Sequence, residues 1–124
     1  MKSTRQAMES VNIDLSANWL AQTEAPGISI RTLSDDLDPE HRTGGRTRLV
    51  RFDPGAYVTR VLSHDFWEET FLLSGGIAIG CDAAGKGGAH TTAPAYSCRP
   101  PGTLHGVMAS SDGCMLLEIQ YYAR

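Results

Sequence analysis

Residues 62–75 read LSHDFWEETFLLSG, and residues 100–105 read PPGTLH. The first stretch sets His64, Glu68 and Gly75 in the spacing H-x3-E-x6-G. The second sets Pro100, Gly102 and His105 in P-x-G-x2-H. Together they place two imidazoles and a carboxylate on what read as neighbouring β-strands, each motif carrying its own turn glycine. Two His and one carboxylate suit a divalent metal: His2Glu with an open position is a catalytic zinc arrangement, and two His plus a carboxylate is the non-haem ferrous triad. His64, Glu68 and His105 are therefore the expected ligands of a divalent ion (iron, zinc, nickel or manganese).

Outward from these motifs the chain reads as short strands separated by turn signals. Residues 11–15, 28–33, 47–52, 57–62, 69–73, 77–81, 95–98, 105–108 and 115–121 alternate or are rich in β-branched and aromatic residues. Pro26-Gly27, Asp53-Pro54-Gly55, Ser74-Gly75-Gly76, Pro100-Pro101-Gly102 and residues 110–113 punctuate them. Residues 34–45 and 82–88 read as loops. Trp19 and Leu20 are expected to pack on the wall of the sheet. No segment sustains a helical period with caps, so the expected class is an all-β sandwich or barrel. Residues 1–10 read as a flexible polar tail and 11–124 as one domain.

Composition excludes several functions. A net charge of −3 without a basic stripe argues against nucleic acid as a partner. Arg42, Arg46, Arg48, Arg51 and Arg60 cluster, but Asp35, Asp36, Asp38, Glu40 and Asp53 interleave with them. This reads as a solvated charged face. Apolar runs are too short for a membrane span, and the polar N-terminus lacks a secretory apolar region. Three cysteines without C-x-x-C spacing fit a reducing, cytoplasmic location with buried thiols.

On these motifs, residues 53–122 resemble a cupin. The chain matches the family's first motif at Gly55, His64, Glu68 and Gly75, and its second at Pro100, Gly102 and His105. It is most similar to the ChrR-like cupins, through Glu68-Glu69, the Tyr96 to His105 stretch and Gly113-Cys114. The resemblance implies an RmlC-like jelly roll, or double-stranded β-helix, with a metal in the lumen held by three His and one Glu. Three positions depart from the pattern: Leu62 replaces the first histidine, Pro94 a glycine and Ala109 an asparagine. His64, Glu68 and His105 are left to hold the ion. Cys98 is a conceivable substitute ligand. The resemblance also implies a homodimer.

The expected lumen is mostly apolar or aromatic, drawing on Leu62, Phe66 or Trp67, Leu72, Val107, Tyr57 and Tyr96, with Arg60 an anchor for an anionic group if it points inward. Such a pocket suits a small-molecule ligand with one polar handle on the metal. Glu69 is expected to face outward and pair with an arginine. His41 and His90, in polar loops, are given no role. Three functions follow: a dioxygenase-type enzyme acting on a small dicarbonyl or aromatic ketone, a non-catalytic binding or sensory module, and a barrel that has lost its metal. The length and the absence of H-x3-C-x2-C leave no room for the helical zinc domain of an anti-sigma factor.

Overall fold

The computed structural model describes residues 5–81 and 87–123. Nine strands follow in order: β1 (Leu20–Ala21), β2 (Ile28–Asp35), β3 (Gly45–Phe52), β4 (Ala56–Leu62), β5 (Trp67–Ile79), β6 (Ala89–Thr92), β7 (Ala95–Arg99), β8 (His105–Ser110) and β9 (Cys114–Tyr121). All pair antiparallel, in the order β1-β2-β3-β9-β5-β8-β4, with β6 and β7 also on β5. The long β5 joins the two halves of the curled sheet. Its first part pairs with β9 and β7, and its second with β6 and β8. The chain changes sheet at a bulge between Leu72 and Ser74. Gly75 follows with φ +77°, and a Cβ there would stand 2.1 Å from the Gly113 carbonyl oxygen. Only glycine permits that approach.

Alternation along the strands builds the interior. Val50 and Phe52 from β3, Leu72 and Ile77 from β5 and Cys114 from β9 form the core with Ile28 and Ala56. Ile30, Val58, Met108 and Leu116 pack against it. The all-β jelly-roll expectation holds. Among the described residues no helix is long and apolar enough to cross a membrane.

Two local expectations are corrected. Residues 11–15 form no strand. Asp14 Oδ1 instead accepts the Ser16 N–H at 2.9 Å and the Ser16 hydroxyl at 2.6 Å, a side-chain turn that competes with strand pairing. Trp19 does reach the wall, where the Arg51 guanidinium lies 4.3 Å from its ring centroid. His90 lies in β6 rather than in a loop. The loop expected at 82–88 falls largely on residues outside those described, as do the first four residues of the tail.

Candidate metal centre

The two sequence motifs are fastened to each other by backbone. The Gly102 N–H donates to the His64 carbonyl at 2.8 Å, so the turn before β8 is tied to the segment between β4 and β5. Leu62 on β4 is the register partner of His105 on β8. Side chains directly opposite in an antiparallel pair share a face, and both residues line the lumen. Gly106 follows with φ +132°; a Cβ there would meet the Arg60 carbonyl oxygen at 2.2 Å. That glycine lets β8 close onto the irregular stretch of β4 between Val58 and Val61.

His64, Glu68 and His105 converge, with one donor atom from each lying within 4.8 Å of the others. His64 Nε2 is 4.0 Å from Glu68 Oε2, and the two imidazole centroids are 5.3 Å apart. Phe66 orients His64 by stacking at 4.6 Å and 10°, and Tyr122 meets Phe66 edge-on. Burial lowers the pKa of both histidines, opposed by the nearby Glu68 charge. The neutral imidazole is the form that binds metal. Both ring nitrogens of His105 are buried without a hydrogen-bond partner among the described residues. Orphaned buried nitrogens are rare and costly, and a cation would satisfy one. The residues present therefore fit a divalent ion. Cys98 is exposed and on the outer face of β7, away from this group. Asp38, Glu40 and His41 form a second acid–histidine group, but His41 Nδ1 is bonded to Asp38 at 2.8 Å on an exposed turn.

Around the centre the lumen is organised in cross-strand rows. Arg46, Gln120, Glu68 and Arg99 occupy matching positions on β3, β9, β5 and β7. They form a continuous relay: Arg46 Nε donates to Gln120 Oε1 at 2.5 Å, Gln120 Nε2 donates to Glu68 Oε2 at 2.7 Å, and Arg99 donates to Glu68 Oε1 at 3.1 Å. The next row is Arg48, Glu118, Thr70 and Ser97. Arg48 donates twice to Glu118 Oε1. Burial pushes the Glu118 carboxyl above the usual carboxylate range while Arg48 pulls it back. The third row, Val50, Leu116, Leu72 and Ala95, is apolar. The lumen thus changes from charged to apolar within two residues along each strand, around a cavity of 340 Å³.

This polar end departs from the expected lumen. Arg46 and Arg48 belong to the interior, not to a solvated face, and Glu118, Gln120 and Arg99 carried no expectation. The signal was present as Arg46-x-Arg48-x-Val50-x-Phe52. It was masked because Leu49, on the opposite face, is buried as well, so alternation alone did not say which face was inside.

Of the expected pocket residues, Arg60, Leu62 and Tyr96 line the cavity. Arg60 sits at an exposed rim, bonded to Glu24 at 2.6 Å. Tyr96 is mostly exposed and its hydroxyl donates to Glu69 on the outer face. Tyr57 and Trp67 do not line it. Tyr57 is exposed. Trp67 stacks on Tyr121, since Glu68 points inward and its strand neighbour must point outward. Val107 packs instead with Ala78, Cys81 and Ala109. Glu69 faces outward as expected, but its partners are the hydroxyls of Tyr96 and Tyr121 rather than an arginine.

The whole architecture is similar to that of solved cupins. An RmlC-like cupin from Shewanella frigidimarina NCIMB 400 superposes with a TM-score of 0.70 at 18% identity, covering 100% of this chain and 96% of that one. An acetylacetone dioxygenase from Acinetobacter johnsonii gives 0.69 at 22% identity, covering 98% and 78%. The polyketide cyclase RemF from Streptomyces resistomycificus gives 0.68 at 15% identity, covering 94% and 82%. No family model and no curated protein matches the chain. The fold is thus the RmlC-like cupin barrel, and neighbours with different chemistries share it, so function has to be argued from the site.

Proposed function

We propose that the barrel holds a divalent metal ion on His64, Glu68 and His105 and acts on a small dicarbonyl or aromatic ketone in a dioxygenase-type reaction. One observation carries this reading: among the described residues the two buried ring nitrogens of His105 have no partner, and they face His64 and Glu68 with one donor atom from each within 4.8 Å. The similarity to an acetylacetone dioxygenase supports the choice of substrate. When bound, the ion would act as a Lewis acid toward a carbonyl oxygen and bring oxygen chemistry within reach. The chain does the rest. Leu62 supplies an apolar wall where a fourth ligand would otherwise stand, leaving coordination space for a ligand. Gln120 and Arg99 hold both oxygens of Glu68 in place, and such outer partners orient a metal-bound carboxylate. The apolar row from Val50 to Ala95 receives the hydrocarbon part of the substrate and excludes water from it.

A second reading, a binding module without turnover, draws on the Arg99–Glu68 pair at 3.1 Å, which offsets the buried carboxylate's charge without any ion. The experiment is elemental analysis of protein purified without chelators, followed by oxygen-electrode assays with acetylacetone. Stoichiometric metal with oxygen consumption supports the enzyme. Metal without consumption, or no metal at all, overturns the enzyme and favours the binding module. A cytoplasmic homodimer completes the proposal; the exposed Phe71, Tyr96 and Ile119 on the outer face of β5, β7 and β9 support the pairing.

A further inference from the structure

The charged residues lining the cavity do not balance. Among the described residues, four arginines, Arg46, Arg48, Arg60 and Arg99, face three glutamates, Glu24, Glu68 and Glu118. The pairs are readily assigned: Arg60 with Glu24 at the rim, Arg99 with Glu68, and Arg48 with Glu118. Arg46 remains, and its hydrogen-bond partner across the sheet is the neutral amide of Gln120. Asp35, the register neighbour of Arg46 on β2, adds its charge from outside the cavity lining. The lumen therefore carries surplus positive charge. A guanidinium cannot discharge by losing its proton; burial first and then the like charge of Arg48 lower the Arg46 pKa, while Glu118, Asp35 and Glu68 raise it from a distance. A half-buried charge facing a lumen favours a partner of opposite sign.

We propose that the natural ligand of this lumen is a small organic anion: an oxo acid whose carboxylate is held by Arg46 beside Arg48, not a neutral diketone. Arg46 and Arg48 sit two residues apart on one face of β3, in rows directly next to the apolar Val50 row. A carboxylate on the guanidinium donors would thus leave the rest of the molecule on Val50, Leu72 and Leu116. Arginine presents paired N–H donors that match a carboxylate edge. Glu68 and Gln120 belong to the Arg46 row, so the anion lies beside the proposed metal ligands. The proposal rests on the reading that the lumen takes a small organic ligand, and it does not require the metal.

Acetylpyruvate and acetylacetone test it, because they differ by a carboxylate in place of a methyl group. Calorimetric titration of chelator-treated protein is expected to show acetylpyruvate binding at least about tenfold more tightly than acetylacetone, a difference of about 1.4 kcal/mol. Arg46→Gln is expected to remove that preference. Equal affinity of the two probes, no binding of either, or a preference that survives Arg46→Gln would each overturn the proposal. Metal analysis on the same preparations keeps the two ideas separate: anion preference in protein that never retains metal sinks the metal reading alone, and metal retention without anion preference sinks this one alone.

Discussion

Replacing His105 by leucine is expected to raise stability and abolish metal retention together. In metal-free protein both ring nitrogens are buried without a partner. An unsatisfied buried polar group costs about 1–3 kcal/mol. Leucine is apolar and of comparable size, and a volume-conserving swap in a packed interior costs under about 1.5 kcal/mol. The balance puts metal-free His105→Leu about 1 kcal/mol above the parent in stability, within bounds of about 0.5 kcal/mol below and about 3 kcal/mol above. In a domain of this size, each kcal/mol moves Tm by roughly 3–5 °C. Metal reverses the order. At a hundredfold excess over Kd the parent gains about 2.7 kcal/mol and a protein that cannot bind gains nothing. Urea midpoints of both proteins, with chelator and with saturating metal, make the measurement. If chelated His105→Leu is less stable than the parent by more than about 1.5 kcal/mol, the imidazole has a partner in the folded protein, and the reasoning that reserves it for an ion fails.

Glu68→Ala is expected to remove metal retention and also to destabilise the metal-free protein by about 3–5 kcal/mol, because it strands the Arg99 guanidinium in the interior; chelated denaturation curves showing no loss would mean that Arg99 finds another partner. His90→Ala, on β6 and away from the centre, is expected to leave metal content unchanged, which elemental analysis checks. Leu62→His is expected to tighten metal binding, since residue 62 faces His105 across β4 and β8; an unchanged Kd in a competition titration with a chelator of known affinity would count against that geometry. The pH dependence has a definite sign. Both His64 and His105 have folded pKa values below the ordinary imidazole value, so below about pH 6.5 the unfolded chain binds more protons and metal-free stability falls. The contribution is intact above pH 6.5 and is lost as the pH drops toward the folded values. Denaturation at a series of pH values checks it, and a flat profile between pH 7 and 5 would contradict the burial of the two rings.

The fold was legible because its determinants are local. Turn residues at Pro26-Gly27, Asp53-Pro54-Gly55 and Pro100-Pro101-Gly102 break the chain into strand-length pieces, and their chemistry does not depend on distant partners. Residues 11–15 misled for a related reason. Their alternation is strand-like, but Asp14 and Ser16 satisfy the backbone through their own side chains. The grouping of His64, Glu68 and His105 was likewise readable, since each motif carries the turn that aims its ligand. The remainder of the centre was not. Arg46, Arg48, Glu118 and Gln120 come from strands distant in sequence that meet only when β3, β9 and β5 pair.

By itself, then, the sequence determined the strand-and-turn class and the identity of three candidate ligands, through short-range spacing and turn chemistry. The tertiary structure alone decided which face of β3 is inside, and with it that the lumen has a charged end as well as an apolar one. The physical reason is that strand alternation specifies two faces without saying which one is buried. In β3 both Leu49 and Val50 are buried, and only the pairing of Arg46 with Gln120 and Arg48 with Glu118 settles where the guanidinium groups lie.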